Sequence, residues 1–182
     1  MGWGRGNESR PPAPSPAPAD DDALDTAWRI HAALTDWTGK VDTKAAFCFA
    51  VESAVLVAVV NLKVPGRLFA VLKGPRQTWA FGIGVALIIL GITFAGNVVM
   101  PRLRRRKTRN EWPANFIYFG HLRHWEPAAL QAKLSSTPML PVLSHQLVVM
   151  SKIAWRKHVM VQLSLLFGGL GAASLILCGL LG

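Results

Sequence analysis

Basic and aromatic side chains are concentrated between residues 101 and 158, in a segment that lies between two apolar runs. This segment holds eleven Lys or Arg residues against two acids, Glu111 and Glu126, and so supplies most of the formal net charge of +10. Arginine forks match phosphate oxygens in two-point hydrogen bonds, and aromatic faces stack on nucleobases. The composition of the segment therefore indicates a soluble module that binds a small anion.

Two groups of residues suit that chemistry. The first group follows Pro101, where an apolar run ends, and consists of Arg102 and Arg104. A competing interpretation is that the basic run 102–109 only anchors the topology and attracts anionic headgroups. The second group offers rings, an amide and an imidazole around Gly120, which allows close backbone approach; its members are Asn115, Tyr118, Phe119 and His121.

The aromatic residues of the second group also have a purely structural explanation. Phe116, Ile117 and Phe119 could form a small core for the module, while Trp112 and Trp125 could be its interfacial anchors. Composition alone leaves both explanations open.

A helix is predicted to run from about Pro141 into the last apolar run, since no Gly or Pro intervenes before Gly168. Helical spacing places three cationic or titratable residues on one face, beside the amide of Gln146; they are His145, Lys152 and Arg156. Another face is apolar and consists of Leu143, Leu147, Met150 and Ala154. A charged ligand bound on the polar face could act on the span. Alternatively, the face could simply be solvated at the membrane boundary, with a snorkelling Lys157.

Catalytic and metal-binding motifs are scarce, and we predict no enzyme, no metal site and no cofactor. The pair His121 and His124 lacks the further Cys or carboxylate ligands that zinc requires, apart from Glu126. Neither a Walker-type glycine loop nor a GxSxG nucleophile elbow occurs. Cys48 and Cys178 lie within apolar runs, where packing explains them.

Three apolar runs of roughly twenty residues predict an all-α, multi-pass membrane protein, because about twenty helical residues cross a hydrocarbon core of ~30 Å. We expect a disordered Pro-rich leader over 1–19, an amphipathic helix over 20–41 and a transmembrane hairpin over 42–101. A basic, helical sensing module over 102–158 and a C-terminal transmembrane helix over 159–181 follow. The basic run 102–109 outweighs the four basic residues of the 63–77 loop, which predicts a cytosolic module.

Charged residues at and inside the spans are candidates for coupling the module to the membrane. Asp42 and Lys44 precede the first span, Lys157 precedes the last, and Glu52 falls near the middle of the first. A charge in hydrocarbon is costly unless it is paired, protonated or wetted, so Glu52 is a functional candidate. The alternative is a protonated Glu52 that hydrogen-bonds a neighbouring span near Thr93 or Asn97.

Two further packing questions stay open at this level. The amphipathic helix over 20–41 could lie on the membrane or pack on the module; its polar face is not basic, which favours packing. Small residues in the second and third spans, such as Gly91, Ala95 and Gly168, permit close helix approach either within the chain or between copies.

Several short motifs, in their order around the spans, resemble the transmembrane effectors of Pycsar, the bacterial pyrimidine-cyclase anti-phage systems. The motifs are Asp42-x-Lys44, Pro101-Arg102, Tyr118-Phe-Gly-His121, His145-Gln146, Ser151-Lys-Ile and Lys157, and the resemblance covers about residues 25–180. It implies an effector of the bacterial inner membrane that binds a cyclic pyrimidine mononucleotide, cUMP or cCMP, made by a cyclase during infection. The effector then impairs membrane integrity, and the infected cell stops growing or dies before the phage matures.

Partners follow from this interpretation. We expect the cyclic mononucleotide, the lipid bilayer and further copies of the chain in the activated state. Nucleic acid is not expected, because the basic residues cluster at span ends, as topology alone demands. Two other functions remain open, a ligand-independent holin-like pore and a membrane scaffold that recruits an acidic partner.

Overall fold

A computed structural model describes residues 18–100 and 111–181. Three long helices dominate these residues: α1 spans Pro18–Leu62, α2 spans Pro75–Val99, and α5 spans Met139–Leu180. A 3₁₀ turn at Trp112–Ala114 and two shorter helices, α3 at Phe119–Leu122 and α4 at Pro127–Ser136, lie between α2 and α5. The described residues contain no strand, and each of the three long helices is apolar enough to cross a membrane. The predicted all-α fold with three spans is confirmed.

Buried residues on the long helices recur at alternating intervals of three and four, which is the heptad spacing of coiled coils. On α2 the buried positions are Gln77, Gly84, Ile88, Gly91, Ala95 and Val98. On α5 they are Leu143, Ala154, Val161, Ser164, Gly168, Gly171, Leu175 and Cys178. Because this spacing keeps one stripe of each helix facing its neighbours, α1, α2 and α5 pack together as an up-down-up bundle.

The first helix is longer than a membrane span requires. Residues 20–41, which the sequence separates from the first span as an amphipathic helix, continue into that span without a break. Ala27, Leu34 and Val41 are buried at seven-residue intervals along this part, so the same stripe runs through both segments. The amphipathic part therefore packs within the protein, as its non-basic polar face predicts, by extending the bundle seam.

The last helix is also uninterrupted, as predicted from the absence of Gly or Pro before Gly168. From Met139 to Lys157 it extends about 27 Å at 1.5 Å per residue before the apolar span begins. Leu143 is fully buried and Ala154 nearly so, whereas His145, Lys152 and Arg156 are exposed. The predicted division of this helix into an apolar and a polar face is confirmed.

Exposed tryptophans mark the two ends of the apolar part of the bundle. Trp155 and Trp37 are exposed near the ion pair described below, and Trp79 is exposed one turn into α2 at the opposite end. Tryptophan favours the boundary between hydrocarbon and headgroups. The twenty helical steps from Trp79 to Val99 cover about 30 Å at 1.5 Å each, which matches the thickness of a hydrocarbon core.

Candidate functional site

An ion pair ties the first and last long helices together where both enter the span. Lys157 Nζ donates to both carboxylate oxygens of Asp42, at 2.6 Å and 2.7 Å. Lys157 lies between the buried Ala154 and Val161 on the inward stripe of α5, so its charged end reaches α1 instead of lipid. Two residues 115 positions apart, both named as coupling candidates from the sequence, are therefore in contact. Lys44, the third such candidate, is exposed and forms no ion pair with another described residue.

A buried carboxyl lies deeper in the same bundle. Glu52 of α1 is 6% exposed, and its Oε1 accepts a hydrogen bond of 2.9 Å from Ser164 of α5. Its Oε2 has no hydrogen-bond partner among the described residues. Thr93 and Asn97 were the expected neighbours, but Thr93 donates to the Ile89 carbonyl and the Asn97 amide donates to the Thr93 carbonyl. The alternative of a hydrogen bond to a neighbouring span is therefore right about the bond but wrong about the partner, since the donor is Ser164 of α5.

Glycines make room for the Glu52 carboxyl. A Cβ atom added at Gly168 would lie 2.5 Å from Glu52 Oε1, and one at Gly91 would lie 2.9 Å from Oε2. Either distance is far below van der Waals contact, so a side chain at either position would force the Glu52 carboxyl to move. The small residues identified from the sequence therefore serve packing within the chain at this level.

Polar side chains also cross between α2 and α5 at the far end of the bundle. Buried Gln77 donates to the Cys178 carbonyl at 3.2 Å and accepts from the backbone N–H of Lys73. Ser174 donates to the Ala80 carbonyl at 2.8 Å. Sequence reasoning missed Gln77, Ser164 and Ser174. The phase of Gln77 and Ser164 on the inward heptad stripe could have identified these two, whereas Ser174 lies beside the stripe.

Rings pack together in the segment between α2 and α5. Tyr118 contacts Phe119 with ring centroids 4.4 Å apart and meets the His121 ring edge to face at 5.5 Å. Trp112 packs edge to face on Trp125 at 5.0 Å. Phe119 nevertheless remains 65% exposed, so its ring is accessible to a stacking partner. The cluster is thus both a small core and a surface with a free aromatic face.

His121 is the polar centre of this cluster. It is 9% exposed, and its Nδ1 is buried without a hydrogen-bond partner among the described residues. Burial lowers the pKa of His121, with an opposing effect from the Glu111 carboxylate and a further lowering by His124. A neutral imidazole with an unused nitrogen can accept or donate one hydrogen bond to an incoming polar group.

The other nominated residues fall into three groups. Arg102 and Arg104 lie outside the described residues. Asn115 is half-buried, and its amide donates to the Glu111 carbonyl at 3.0 Å. On α5, Gln146 is half-buried beside the exposed His145, Lys152 and Arg156.

The cluster and the polar face of α5 are not joined in this conformation. In the described part of the chain, no hydrogen bond, ion pair or ring contact connects Tyr118, Phe119 or His121 with His145, Lys152 or Arg156. Among the same residues, no group of three metal-ligating side chains occurs. The aromatic cluster and the cationic face of α5 are two distinct candidate elements. Only the cationic face continues into the span as part of one helix.

Comparison with known proteins gives one family. A family model described as the Pycsar effector protein domain matches residues 26–182. No curated protein and no solved structure gives a significant match. The match includes all three long apolar helices and the segment between α2 and α5, so it covers both the buried Glu52 site and the aromatic cluster. This chain therefore belongs to the family of Pycsar effector proteins, whose role is in anti-phage defence.

Proposed function

We propose that this effector binds a cyclic pyrimidine mononucleotide, cUMP or cCMP, and that the bound form impairs the integrity of the bacterial inner membrane. Family membership supplies the context, and the continuity of α5 is the observation that supports the mechanism. One helix carries the cationic residues Lys152 and Arg156 outside the span and the carboxyl-binding Ser164 inside it. A force on the outer part of α5 therefore acts directly on the bundle.

The proposed ligand suits the two separated elements. A cyclic mononucleotide carries one negative charge and one base, so Lys152, Arg156, Arg102 or Arg104 would neutralise its phosphate while Phe119 or Tyr118 stacks on its base. His121 and the amides of Asn115 and Gln146 would form hydrogen bonds with the polar edges of the base. Because no hydrogen bond, ion pair or ring contact joins Tyr118, Phe119 or His121 to the polar face of α5 among the described residues, a bound nucleotide would link the two elements.

Such a ligand shifts a conformational equilibrium by its differential affinity for the two states. A hundredfold preference for the joined state contributes about 2.7 kcal/mol, which is comparable to the energy of one or two polar contacts. The Asp42 to Lys157 ion pair and the Glu52 to Ser164 hydrogen bond both join α1 to α5. In this proposal they hold the resting bundle closed, and movement of α5 breaks them.

Released helices would expose Glu52, a polar group that lipid does not solvate. Further copies of the chain could then cover it, which is the reason to expect self-association on activation. The module between α2 and α5 would face the cytosol, where a cyclase product is found, as the basic run 102–109 predicts. The proposal includes no chemical conversion of the nucleotide.

The direct test is calorimetric titration of the purified protein with cUMP and cCMP, paired with dye release from liposomes. We expect saturable binding of one of them and leakage that depends on it. The variants Arg102→Ala and Tyr118→Ala should insert normally but lose both responses, whereas Lys133→Ala, a basic position on α4, should retain them. Recovery of the nucleotide unchanged would agree with the absence of catalysis.

Other outcomes would support the rival functions. Leakage that is equal with and without nucleotide would indicate a holin-like pore and would refute ligand gating. Capture of an acidic protein without leakage would indicate a scaffold. A wild-type response of Arg102→Ala and Tyr118→Ala would remove these residues from the site.

A further inference from the structure

An open apolar groove runs between α1 and α5 at the end of the bundle that carries the 63–74 loop. Its volume is about 490 Å³. Its walls come from three places: α1 contributes Ala58 and Leu62, α5 contributes Ala172 and Ile176, and the loop contributes Leu68 and Phe69. The lining is almost entirely hydrocarbon, so water has no polar partner in it.

The groove exists because α2 packs on the other side of this pair of helices. There Ile88 of α2 packs with Val59 and Leu175, which fills the space between the three helices and leaves the outer face of α1 and α5 uncovered. Small side chains at Ala58 and Ala172 keep that face concave. Since these parts of α1 and α5 belong to apolar spans, the groove opens toward the bilayer.

Basic residues flank the groove lining in the sequence. The loop and first turn over 63–77 contain four basic residues and no acid. Lys63 and Arg67 directly neighbour the lining residues Leu62 and Leu68, and both are exposed. Neither forms an ion pair with another described residue; Lys63 instead lies over the Phe81 ring at 5.0 Å.

We propose that this groove binds one anionic phospholipid, with an acyl chain between α1 and α5 and its phosphate at Lys63 and Arg67. Apolar lining next to unpaired cations is the complement of an anionic lipid, whose charge lies directly beside its hydrocarbon. A second copy of this chain fits less well. Copies that pack through this groove would place their two 63–77 loops, each with four positive charges, directly against each other, at a repulsive cost.

Native mass spectrometry of the full-length protein tests the site. Detergent-solubilised protein is supplied with equal amounts of phosphatidylglycerol and phosphatidylcholine, and the bound lipids are counted. Two cations at the headgroup predict a preference for phosphatidylglycerol of about tenfold or more. The double variant K63Q/R67Q should lose that preference. K133Q, which removes a positive charge from α4 away from the groove, should keep it.

A bulky side chain placed in the groove tests the acyl-chain contact separately from the headgroup contact. A172F should reduce the retained phosphatidylglycerol severalfold, while A86W, a large residue at an exposed position of α2 outside the groove, should leave retention unchanged. Helix content by circular dichroism and elution volume establish that each variant is folded. If A172F does not fold, A58F provides the same obstruction from α1.

Three results would overturn the proposal. They are equal retention of both lipids by the wild-type protein, unchanged preference in K63Q/R67Q, and retention that A172F and A58F do not lower. A dimer mass that A172F abolishes would assign the groove to a second copy instead of a lipid. None of these measurements involves a cyclic nucleotide, so this inference stands or falls independently of the proposed function.

Discussion

A methyl group at Gly168 should destabilise the bundle, because the Glu52 carboxyl occupies the space that a side chain would need. The added Cβ would lie 2.5 Å from Glu52 Oε1 and 3.1 Å from the carboxyl carbon. Overpacking of a filled interior costs about 1–3 kcal/mol. The carboxyl can yield only by moving Oε1, which accepts the hydrogen bond from Ser164. Gly168→Ala should therefore lower the free energy of unfolding by up to that amount, despite the better helix propensity of Ala.

The neighbouring glycine provides a matched control. A Cβ at Gly169 meets no atom within 4 Å, so Gly169→Ala changes the helix propensity alone. That substitution should leave stability unchanged or raise it by up to about 1 kcal/mol. Reversible unfolding in mixed detergent micelles, followed by circular dichroism, measures both variants under the same conditions.

A double-mutant cycle identifies the cause. In a Glu52→Ala background the clash is gone, so adding Gly168→Ala should cost little or nothing, and the coupling should be of about 1–3 kcal/mol. Equal effects of Gly168→Ala and Gly169→Ala would refute the reasoning. So would a cost for Gly168→Ala that persists when Glu52 is absent.

Three further predictions follow from other contacts. Ser164→Ala leaves both Glu52 oxygens without the hydrogen bond and should cost about 1–3 kcal/mol in the same unfolding assay; no change would remove Ser164 as a partner. Exchange of the ion pair in Asp42→Lys/Lys157→Asp should recover the stability lost in either single variant, about 1 kcal/mol for partly exposed partners, and failure to recover would deny a pairwise contact. The pKa of His121 in the folded protein lies below its usual value, so the unfolded chain binds a proton at this residue more readily than the folded protein does. The aromatic cluster should therefore lose stability as the pH falls below about 6.5. Hydrogen exchange of residues 111–125 at pH 7.5 and 5.5 measures this loss, which His121→Gln should remove; an unchanged pH response in that variant would contradict it.

The sequence was sufficient for the large features of the fold. Runs of apolar residues predicted three spans, and the absence of Gly or Pro between Pro141 and Gly168 predicted one continuous helix. The apolar face through Leu143 and Ala154 was also correct, because helical periodicity is a local property that needs no knowledge of the partner. Family resemblance pointed to the Pycsar effectors, and the family model confirms it.

The organisation of the candidate binding site was less accessible. Composition nominated rings and cations together, yet among the described residues no hydrogen bond, ion pair or ring contact joins Tyr118 or Phe119 to Lys152 or Arg156. Residue types report which chemistry is available, but a contact between a loop and a helix depends on a chain path that no periodic pattern encodes.

Sequence alone predicted the apolar face of the outer part of α5, through Leu143 and Ala154, and that a carboxyl at Glu52 must be compensated. Only the tertiary structure decided that Ser164 compensates it, that Gly91 and Gly168 make room for it, and that Lys157 reaches Asp42. The reason is physical: hydrophobic periodicity fixes the rotation of a helix about its own axis. The axial register between helices, which sets every one of these pairs, emerges only when the three of them pack.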